Sequence, residues 1–392
     1  MSESRGTVLF AGGGTGGHLF PSLAVAERLA GRCEVHFACS GKPLDAEILT
    51  KAGVPFTPLP AVGLTGNPMQ WPGFIKRYKQ SEAIARRIIV ERNVGVVVSM
   101  GGYVSAPVIG AAAKMKLPGV PGIPGVLVNL DAVAGKANRR MAKRADRVFS
   151  VFDKPGLGVS FARIGFPLRR AATPGSIPGS IPGSIPGSGA GSGAGTPGGM
   201  EEARRRLGLE PATPTLLITG ASQGAQTLNK LMIELAHKPL WNGWQILHLA
   251  GEGNTEGLIQ TYQQHGLKAK VLPFLDEMGL AWGAADVAIS RCGAGSAAEV
   301  LANGVPTIFL PYPYHKDQHQ RHNVAPMEAA GGCVILTDLI EPGANAAAVE
   351  PVLTELMAYA DRRKLMRDAL AKLQQPNGAE QLAEAVMGIL GK

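Results

Sequence analysis

The most constraining feature of this chain is a short apolar run that ends in a cluster of glycines. Residues 8–11 read Val-Leu-Phe-Ala, and five glycines, Thr15 and then His18 follow them. A helix-like apolar run starts at Ser22, so the pattern predicts a buried strand, a tight loop and a helix. Glycine loops bring backbone N–H groups close to a ligand, and a helix N-terminus favours phosphate. We therefore predict an anion-binding loop with His18, which can accept a proton near neutral pH, at its edge.

Three of these glycines match a dinucleotide-binding pattern. Gly12, Gly14 and Gly17 fit GxGxxG, but such a site also needs an acidic residue at the end of the second strand to hold the ribose. The second predicted strand, 34–39, instead runs into Ser-Gly-Lys. The sequence therefore disfavours an enzyme that uses NAD or FAD.

The order of strand, glycine loop and helix recurs along the whole chain. The predicted strands are 7–11, 34–39, 94–99, 126–129, 215–219, 245–249, 270–272, 286–289 and 306–310. The predicted helices include 22–30, 106–115, 226–236 and 297–303. Strands that alternate with helices predict parallel sheets covered on both faces. The expected fold class is α/β, with two Rossmann-like parallel-sheet domains facing a cleft.

A low-complexity segment divides the two halves. Residues 174–188 repeat Pro-Gly-Ser-Ile with a period of four, and Pro and Gly at this density oppose both helix and strand. We predict a linker or loop over 172–199, between an N-terminal domain (1–171) and a C-terminal domain (200–375). The last segment, 376–392, is expected to be a helix that returns to the N-terminal domain.

Composition narrows the possible functions. The chain has 392 residues, of which 45% are apolar, enough for two cores. Its net charge of +9 suits anionic lipids or phosphorylated ligands, but basic and aromatic residues are not interleaved, so no nucleic acid is expected. Four scattered cysteines without a CxxC pair indicate a reducing compartment. We expect neither a secretory signal nor a membrane span, since no uncharged apolar run approaches ~20 residues.

A second site is predicted in the C-terminal half. The glycine loop 293–296 precedes Glu299 by three residues, which predicts this carboxylate in the first turn of the next helix. There it could accept both hydroxyls of a ribose while the loop N–H groups face phosphate. The alternative is that Glu299 only complements the helix dipole.

A polar run, 311–323, directly follows an apolar strand, which indicates a binding site. His315, His319 and His322 within it could share one helix face and so bind zinc. No cysteine or carboxylate apart from Asp317 is placed to complete that site. We therefore expect no metal there.

Six segments, in order, resemble one known family. They are GGGTGGHLFPSLAVAERL, MGGYVSAP, GFPLR, GASQGAQTLN, SRCGAGSAAE and HKDQHQRHN. Together they are similar to the MurG family of UDP-N-acetylglucosamine transferases (glycosyltransferase family 28). The resemblance covers both halves and implies a GT-B fold with no required metal or other cofactor. It further implies transfer of GlcNAc from UDP-GlcNAc to lipid I, with inversion, forming lipid II at the cytoplasmic face of the plasma membrane.

The resemblance also implies roles for particular residues. His18 would be the base for the attacking hydroxyl of the acceptor. The residues implied to bind UDP-GlcNAc are Thr15, Gly16, Gly17, Asp131, Arg169, Ser222, Leu275, Ala294, Gly295, Ser296, Glu299 and Gln320. The residues implied on the acceptor side are Gly14, Gly102, Tyr103 and Asn129.

Some positions depart from the family pattern. Members usually carry His-Glu-Gln-Asn where this chain has Val-Asn-Leu-Asp at 128–131, so Asn129 replaces a Glu and cannot take a proton. Any acid–base role of that carboxylate is lost or moves to Asp131. His319 also stands where the family commonly has Gln. Three alternatives therefore stay open: a different lipid or small-molecule acceptor, an epimerase acting on UDP-GlcNAc, and a nucleotide-sugar-binding protein without catalysis.

One segment suggests contact with a membrane. Residues 70–79 combine apolar side chains with cations, which are Trp71, Phe74, Ile75, Lys76, Arg77 and Lys79. Such a combination suits a surface of anionic lipids. The alternative is an ordinary surface helix that buries Phe74 and Ile75 in the core.

Overall fold

The computed structural model of the protein describes residues 6–64, 67–115, 122–174, 197–220, 224–314 and 319–391. The chain divides into two compact units, one formed by residues 1–169 with 376–392 and the other by residues 170–375. Each unit is built around a parallel sheet with helices on its faces. The predicted pair of parallel-sheet α/β domains is therefore confirmed.

The first unit contains a parallel sheet and its covering helices, numbered along the chain. Its strands are β1 (Thr7–Ala11), β2 (Glu34–Ser40), β3 (Phe56–Leu59), β4 (Val94–Ser99), β5 (Gly125–Asn129), β6 (Arg147–Ser150) and β7 (Ala162–Arg163). Its helices are α1 (Gly16–Leu29), α2 (Pro43–Lys51), α3 (Trp71–Glu91), α4 (Ser105–Lys114), α5 (Lys136–Ala142) and, from the end of the chain, α14 (Gly378–Ile389). The strands stand in the order β3-β2-β1-β4-β5-β6-β7.

The order of these strands places a ligand crevice. Strand β1 is entirely buried and pairs with β2 on one side and β4 on the other, so the direction of winding reverses there. In doubly wound sheets, ligands bind at the carboxyl ends of the strands at such a point. The loops after β1 and β4 therefore form the expected binding edge of this unit.

The last helix packs against the helix that carries His18. Leu382 and Val386 of α14 belong to the same buried cluster as Leu23 of α1. Arg28 of α1 forms an ion pair with Glu380 at 2.9 Å, and Arg32, in the turn after α1, forms one with Glu384 at 2.7 Å. The apolar contact therefore holds α14 on the first unit, while the exposed Arg32–Glu384 pair contributes little.

The second unit repeats the arrangement. Its strands are β8 (Thr215–Thr219), β9 (Gln245–Leu249), β10 (Ala269–Leu272), β11 (Val287–Ser290), β12 (Thr307–Phe309) and β13 (Cys333–Ile335). Its helices are α6 (Pro197–Arg206), α7 (Gln226–Ala236), α8 (Thr255–Gln264), α9 (Met278–Ala284), α10 (Ala294–Asn303), α11 (His319–Ala329), α12 (Pro342–Ala358) and α13 (Ala360–Ala371). The strand order is β10-β9-β8-β11-β12-β13, so its crevice lies at the carboxyl ends of β8 and β11.

Two helices begin earlier than predicted. Helix α1 begins at Gly16 rather than Ser22, and α10 begins at Ala294 rather than residue 297. Glycine lowers helix propensity in a helix interior, but the first N–H groups of a helix have no partner within it, so glycine is tolerated there. His18 therefore lies on α1 itself. Glu299 lies in the second turn of α10, so its predicted place in the first turn is wrong.

The predicted linker also ends earlier than expected. Helix α6 begins at Pro197, so the last residues of the segment 172–199 are helical. The Pro-Gly-Ser-Ile repeat lies outside the described residues apart from its first position. In the part of the chain that the structure describes, no helix is both long enough and apolar enough to cross a membrane.

Candidate active site

The turn between β1 and α1 depends on glycine. The backbone of Gly13 and Gly14 has positive φ, at 151° and 86°, a region that other residues rarely adopt. A Cβ atom on Gly14 would lie 2.6 Å from the Tyr103 hydroxyl, and one on Gly13 would collide with the Asp45 carboxylate. The turn is therefore packed so tightly that it admits no side chain at either position.

His18 lies half-buried in the first turn of α1, directly behind this turn. Its imidazole packs against the Gly102 backbone, where a Cβ would lie 3.1 Å from Cε1 and where φ is 84°. Thr15 places its hydroxyl 3.4 Å from His18 Nδ1. The structure therefore brings together residues from motifs that are far apart in sequence: Gly14, Thr15, His18, Gly102 and Tyr103.

The surroundings of His18 favour its neutral form. Desolvation lowers the pKa of His18, and this effect outweighs Asp131, a hydrogen bond to the Gly13 backbone and Asp45, all of which raise it. A neutral imidazole at pH 7 can accept a proton. The nearby carboxylates then stabilise the imidazolium that results, which suits a general base.

Asn129 is held inside the fold. Its side chain is completely buried, donates to the Asp131 carbonyl at 2.7 Å and accepts from Asn138 Nδ2 at 3.1 Å. An ionised Glu at this place could accept but not donate. Asp131, in contrast, is half-buried and acts electrostatically on His18. The acceptor-side role of Asn129 and the donor-side role of Asp131 stay predictions.

In the second unit, the start of α10 is chemically suited to an anion. Gly293 is the N-cap and no side chain of the cap occupies the first N–H groups. Ala294, Gly295 and Ser296 follow as the first three helical residues, all half-buried. Free N–H groups at a helix N-terminus suit a phosphate.

Glu299 follows one turn later and has a perturbed carboxyl group. Desolvation raises the pKa of Glu299 to about 7, although a hydrogen bond from Trp282 opposes the shift. Trp282 Nε1 donates to Glu299 Oε2 at 2.8 Å, which leaves Oε1 for another donor. Because Glu299 lies beyond the first turn, dipole complementation alone does not account for it. Trp282 is a partner of Glu299 that no sequence motif indicates.

A buried polar network supports this end of the second sheet. Arg291, directly after β11, donates to the Asp338 carboxylate at 2.7 Å, to the Leu310 carbonyl at 2.9 Å and to the Thr227 hydroxyl. Thr227 in turn donates to Asp338. Burial alone would raise the pKa of Asp338, but hydrogen bonds from Thr227, Asn345 and Arg291 lower it. The network joins the ends of β11 and β12 to the start of α7.

The Thr227→Val substitution tests this network. It should lower the free energy of unfolding by about 1–2 kcal/mol, because Arg291 and Asp338 each lose a buried hydrogen-bond partner. Thr354→Val is the matched control, since Thr354 is exposed on α12 and bonds only to its own helix. Urea unfolding measures both, and equal stability of the two variants would mean that the Thr227 hydroxyl contributes nothing.

The remaining predicted donor residues are spread over the two units. Arg169 belongs to the first unit, where its Nε donates to Glu27 at 3.0 Å and its guanidinium lies over the Phe20 ring. Leu275 is half-buried against the core of the second unit. Gln320 accepts a hydrogen bond from the Tyr312 backbone at 3.2 Å, and Gly16 and Gly17 lie in the first turn of α1. Ser222 lies outside the described residues.

No group of three metal-binding side chains occurs within the described ranges. Of the three histidines considered for zinc, His315 falls outside them, as does Asp317. His322 is exposed. The expectation that no metal is required stays a prediction.

The first unit contains a cavity of about 1240 Å³. It runs from Tyr103 to the start of α3, where Trp71, Phe74 and Ile75 line it, together with Tyr78. Its other lining residues include six cations: Lys79, Lys114, Lys136, Arg140, Lys143 and Arg144. Ile75 is 50% exposed and Trp71 is 48% exposed. The alternative that Ile75 packs into the core is therefore wrong, while Phe74 is half-buried beside Tyr78.

Comparison with known proteins agrees with this geometry. The glycosyltransferase family 28 N-terminal domain matches residues 8–150, and the family 28 C-terminal domain matches residues 215–382. A relative from Clavibacter michiganensis subsp. michiganensis is 33% identical over 96% of this chain and 95% of its own length. One from Acidithiobacillus ferrooxidans is 32% identical over 98% of both chains. Both are named UDP-N-acetylglucosamine–N-acetylmuramyl-(pentapeptide) pyrophosphoryl-undecaprenol N-acetylglucosamine transferase.

Solved structures give the same result. The crystal structure of Acinetobacter baumannii MurG is similar with a TM-score of 0.68 and 25% identity, over 98% of this chain and 99% of that one. The calicheamicin glycosyltransferase CalG4 has a TM-score of 0.61 at 16% identity, over 100% and 99%, which speaks for the fold alone. Two parallel-sheet α/β domains, the two family 28 domain matches and the similarity to MurG identify a glycosyltransferase of the GT-B class. Within that class, the chain belongs to glycosyltransferase family 28.

Proposed function

We propose that this enzyme transfers N-acetylglucosamine from UDP-N-acetylglucosamine to the muramyl sugar of a pyrophosphoryl-undecaprenol-linked pentapeptide. The names of the full-length relatives support this substrate pair. The observation that carries the proposal is the half-buried His18 behind a glycine turn, where desolvation lowers its pKa and nearby carboxylates act on it.

His18 acts as the general base in one displacement with inversion. The acceptor hydroxyl oxygen forms a bond to the anomeric carbon of the donor sugar as the bond from that carbon to the UDP oxygen breaks. The hydroxyl proton passes to the His18 imidazole, and UDP leaves with the electron pair. Asp131 and Asp45 stabilise the imidazolium formed in this step.

The second unit binds the UDP portion. The first N–H groups of α10 bind the diphosphate and stabilise the charge that develops on it as it leaves. Glu299 accepts hydrogen bonds from the ribose hydroxyls, in the orientation that Trp282 gives it. Charge stabilisation by fixed N–H groups is the reason we propose that the reaction requires no metal ion.

The cavity beside Tyr103 receives the lipid portion of the acceptor and meets the membrane. Its apolar lining suits a polyprenyl chain, and its cations suit pyrophosphate and anionic headgroups. Trp71 and Ile75 expose apolar surface at its mouth. We propose that the enzyme binds peripherally at the cytoplasmic face of the plasma membrane, through this end of α3.

Paired substitution of Trp71 and Ile75 by serine tests membrane binding. Affinity for vesicles of phosphatidylglycerol should fall about tenfold or more, because two apolar side chains no longer enter the interface. A vesicle sedimentation assay measures this. Leu365→Ser is the control, since Leu365 is 62% exposed on α13 in the other unit. Unchanged sedimentation of the double variant would contradict the proposed surface.

Release of UDP from UDP-GlcNAc tests the reaction itself. We expect release only when lipid I is added, at the same rate in the presence of EDTA. Release of UDP with free sugar in the absence of acceptor would favour an epimerase-like activity. Tight UDP binding without release in either condition would indicate a different acceptor or lost catalysis. These are the foremost alternatives because Asn129 stands where the family usually has Glu.

A further inference from the structure

One buried carboxylate beneath the β1–α1 turn makes hydrogen bonds that have no role in the reaction as described so far. Asp45 is the third residue of α2 and is completely buried. It lies five residues beyond Ser40, the end of β2. It is therefore not placed to bind a ribose as the acidic residue of a dinucleotide site does.

Asp45 instead binds the backbone of the glycine turn. Its Oδ2 accepts from Gly14 N at 2.7 Å, from Ser40 N at 3.0 Å and from the Ser40 hydroxyl at 2.6 Å. Lys42 Nζ donates to the Gly14 carbonyl at 2.8 Å. Side chains from the β2–α2 segment therefore hold both polar groups of Gly14, and Oδ2 occupies the space that a Cβ on Gly13 would need.

The Asp45 carboxylate is held by hydrogen bonds. Within the described part of the chain it has no ion-pair partner, and its second oxygen, Oδ1, is buried without a hydrogen bond. A charge in such surroundings is poorly screened and acts on neighbouring groups more strongly than an exposed one.

His18 is the neighbouring imidazole on which Asp45 acts. Asp45 acts on it from α2 and Asp131 acts on it from the β5–α5 loop, and both favour the imidazolium. Lys42, bound to Gly14, is the cation of this turn, and the Tyr103 hydroxyl faces Gly14 from the β4–α4 side. Gly13, held against Asp45, also makes the backbone hydrogen bond to His18.

We propose that Asp45 is a positioning residue for His18. Its hydrogen bonds hold the Gly13–Gly14 turn in the conformation that orients the imidazole, and its charge stabilises the imidazolium formed during transfer. This inference rests on the proposed role of His18 as base.

The Asp45→Asn substitution tests it, because asparagine keeps an acceptor oxygen for Gly14 N–H and removes the charge. We expect kcat to fall about tenfold with the KM for UDP-GlcNAc nearly unchanged. The acidic limb of the kcat–pH profile should move to lower pH, because the imidazolium loses a stabilising charge. NMR titration of the His18 ring should show a shift of its pKa in the same direction. Glu47→Gln removes an exposed charge from the same helix and should leave all three unchanged.

The possible outcomes distinguish the proposed role of Asp45 from the proposed role of His18 as base. A lower kcat with an unshifted acidic limb and an unshifted His18 titration would overturn the role of the Asp45 charge and leave only a structural one. If Asp45→Asn shifts the His18 titration but His18→Ala keeps full activity, the proposed base is wrong although the coupling exists. Thermal unfolding of Asp45→Asn checks that the variant is folded, and Ser40→Ala, which retains the charge, provides a second test. That variant should not lower the His18 pKa, and a shift as large as that of Asp45→Asn would contradict the proposal.

Discussion

Replacement of His18 by alanine should lower kcat by a factor of about 100 or more, with the KM for UDP-GlcNAc little changed. General-base catalysis contributes about 10²- to 10⁴-fold, and the proposed base acts on the acceptor hydroxyl rather than on the donor. Steady-state kinetics with lipid I measures both constants. A loss in kcat without a change in donor KM marks an interaction made in the transition state.

The control for this variant is another histidine outside the site. His237 is exposed at the end of α7, where its ring packs against that of His265. His237→Ala should keep full activity. If His18→Ala retained kcat within about threefold of the unchanged enzyme, a role in packing the turn would replace the catalytic one.

The pH dependence of activity in the unchanged enzyme should follow the protonation of His18. Desolvation lowers the pKa of His18 from its ordinary value of 6.5, so the base remains neutral and active below that pH. Activity should be lost only as the pH falls through the lowered pKa.

The strands of both sheets could be predicted because their signal is local. Strands β1 and β8 have the predicted bounds, 7–11 and 215–219, since both are short apolar runs followed at once by glycine. The first residues of helices α1 and α10 were harder to predict. Gly16 and Gly295 lower local helix propensity, so the sequence pattern places the helix starts after them, although glycine is tolerated in a first turn.

Candidate site residues that belong to glycine-loop motifs could be predicted from the sequence. Residues whose role depends on a contact with a residue far away in the sequence could not. His18, Gly102 and Tyr103 come from two glycine loops, and parallel-sheet topology brings such loops to one edge. Arg291 and Asp338, in contrast, are 47 positions apart, and no local pattern pairs them. Asp45 lies beyond the position at which a ribose-binding carboxylate is expected, so its contact with Gly14 was not predicted.

The structure gives a physical explanation for Asn129 at the position where family members usually carry Glu. A completely buried side chain that meets both a backbone carbonyl and the Asn138 amide must donate and accept, which asparagine does and an ionised carboxylate does not. The neighbouring loop then offers Asp131 as the carboxylate that acts on His18. Loss of a proton-carrying group at position 129 is therefore compatible with catalysis by His18.

Replacement of Glu299 by glutamine or alanine should weaken binding of UDP-GlcNAc by about 10- to 100-fold. A hydrogen bond to a charged group contributes about 1.5–3 kcal/mol, and each 1.4 kcal/mol is a factor of ten. Isothermal titration calorimetry without acceptor measures this affinity. Glu256→Gln is the control, because Glu256 is an exposed acid in the first turn of α8. Unchanged affinity in Glu299→Ala would leave the carboxylate without a role in donor binding.

The pH dependence of donor binding makes this test sharper. Desolvation raises the pKa of Glu299 to about 7, so the carboxyl is increasingly protonated as the pH falls through 7 and accepts hydrogen bonds from the ribose less well. Affinity for UDP-GlcNAc should therefore be higher at pH 8 than at pH 6 in the unchanged enzyme, and this difference should disappear in Glu299→Gln.

The raised pKa of Glu299 has the opposite effect on the stability of the enzyme without ligand. Because the folded-state pKa lies above the unfolded value, stability contributed by Glu299 is present below about pH 4.5 and is lost as the pH rises through 7. Glu299→Gln should consequently unfold at a higher temperature than the unchanged enzyme at pH 8, while it binds the donor more weakly. A residue that served only to stabilise α10 would change stability without changing donor affinity.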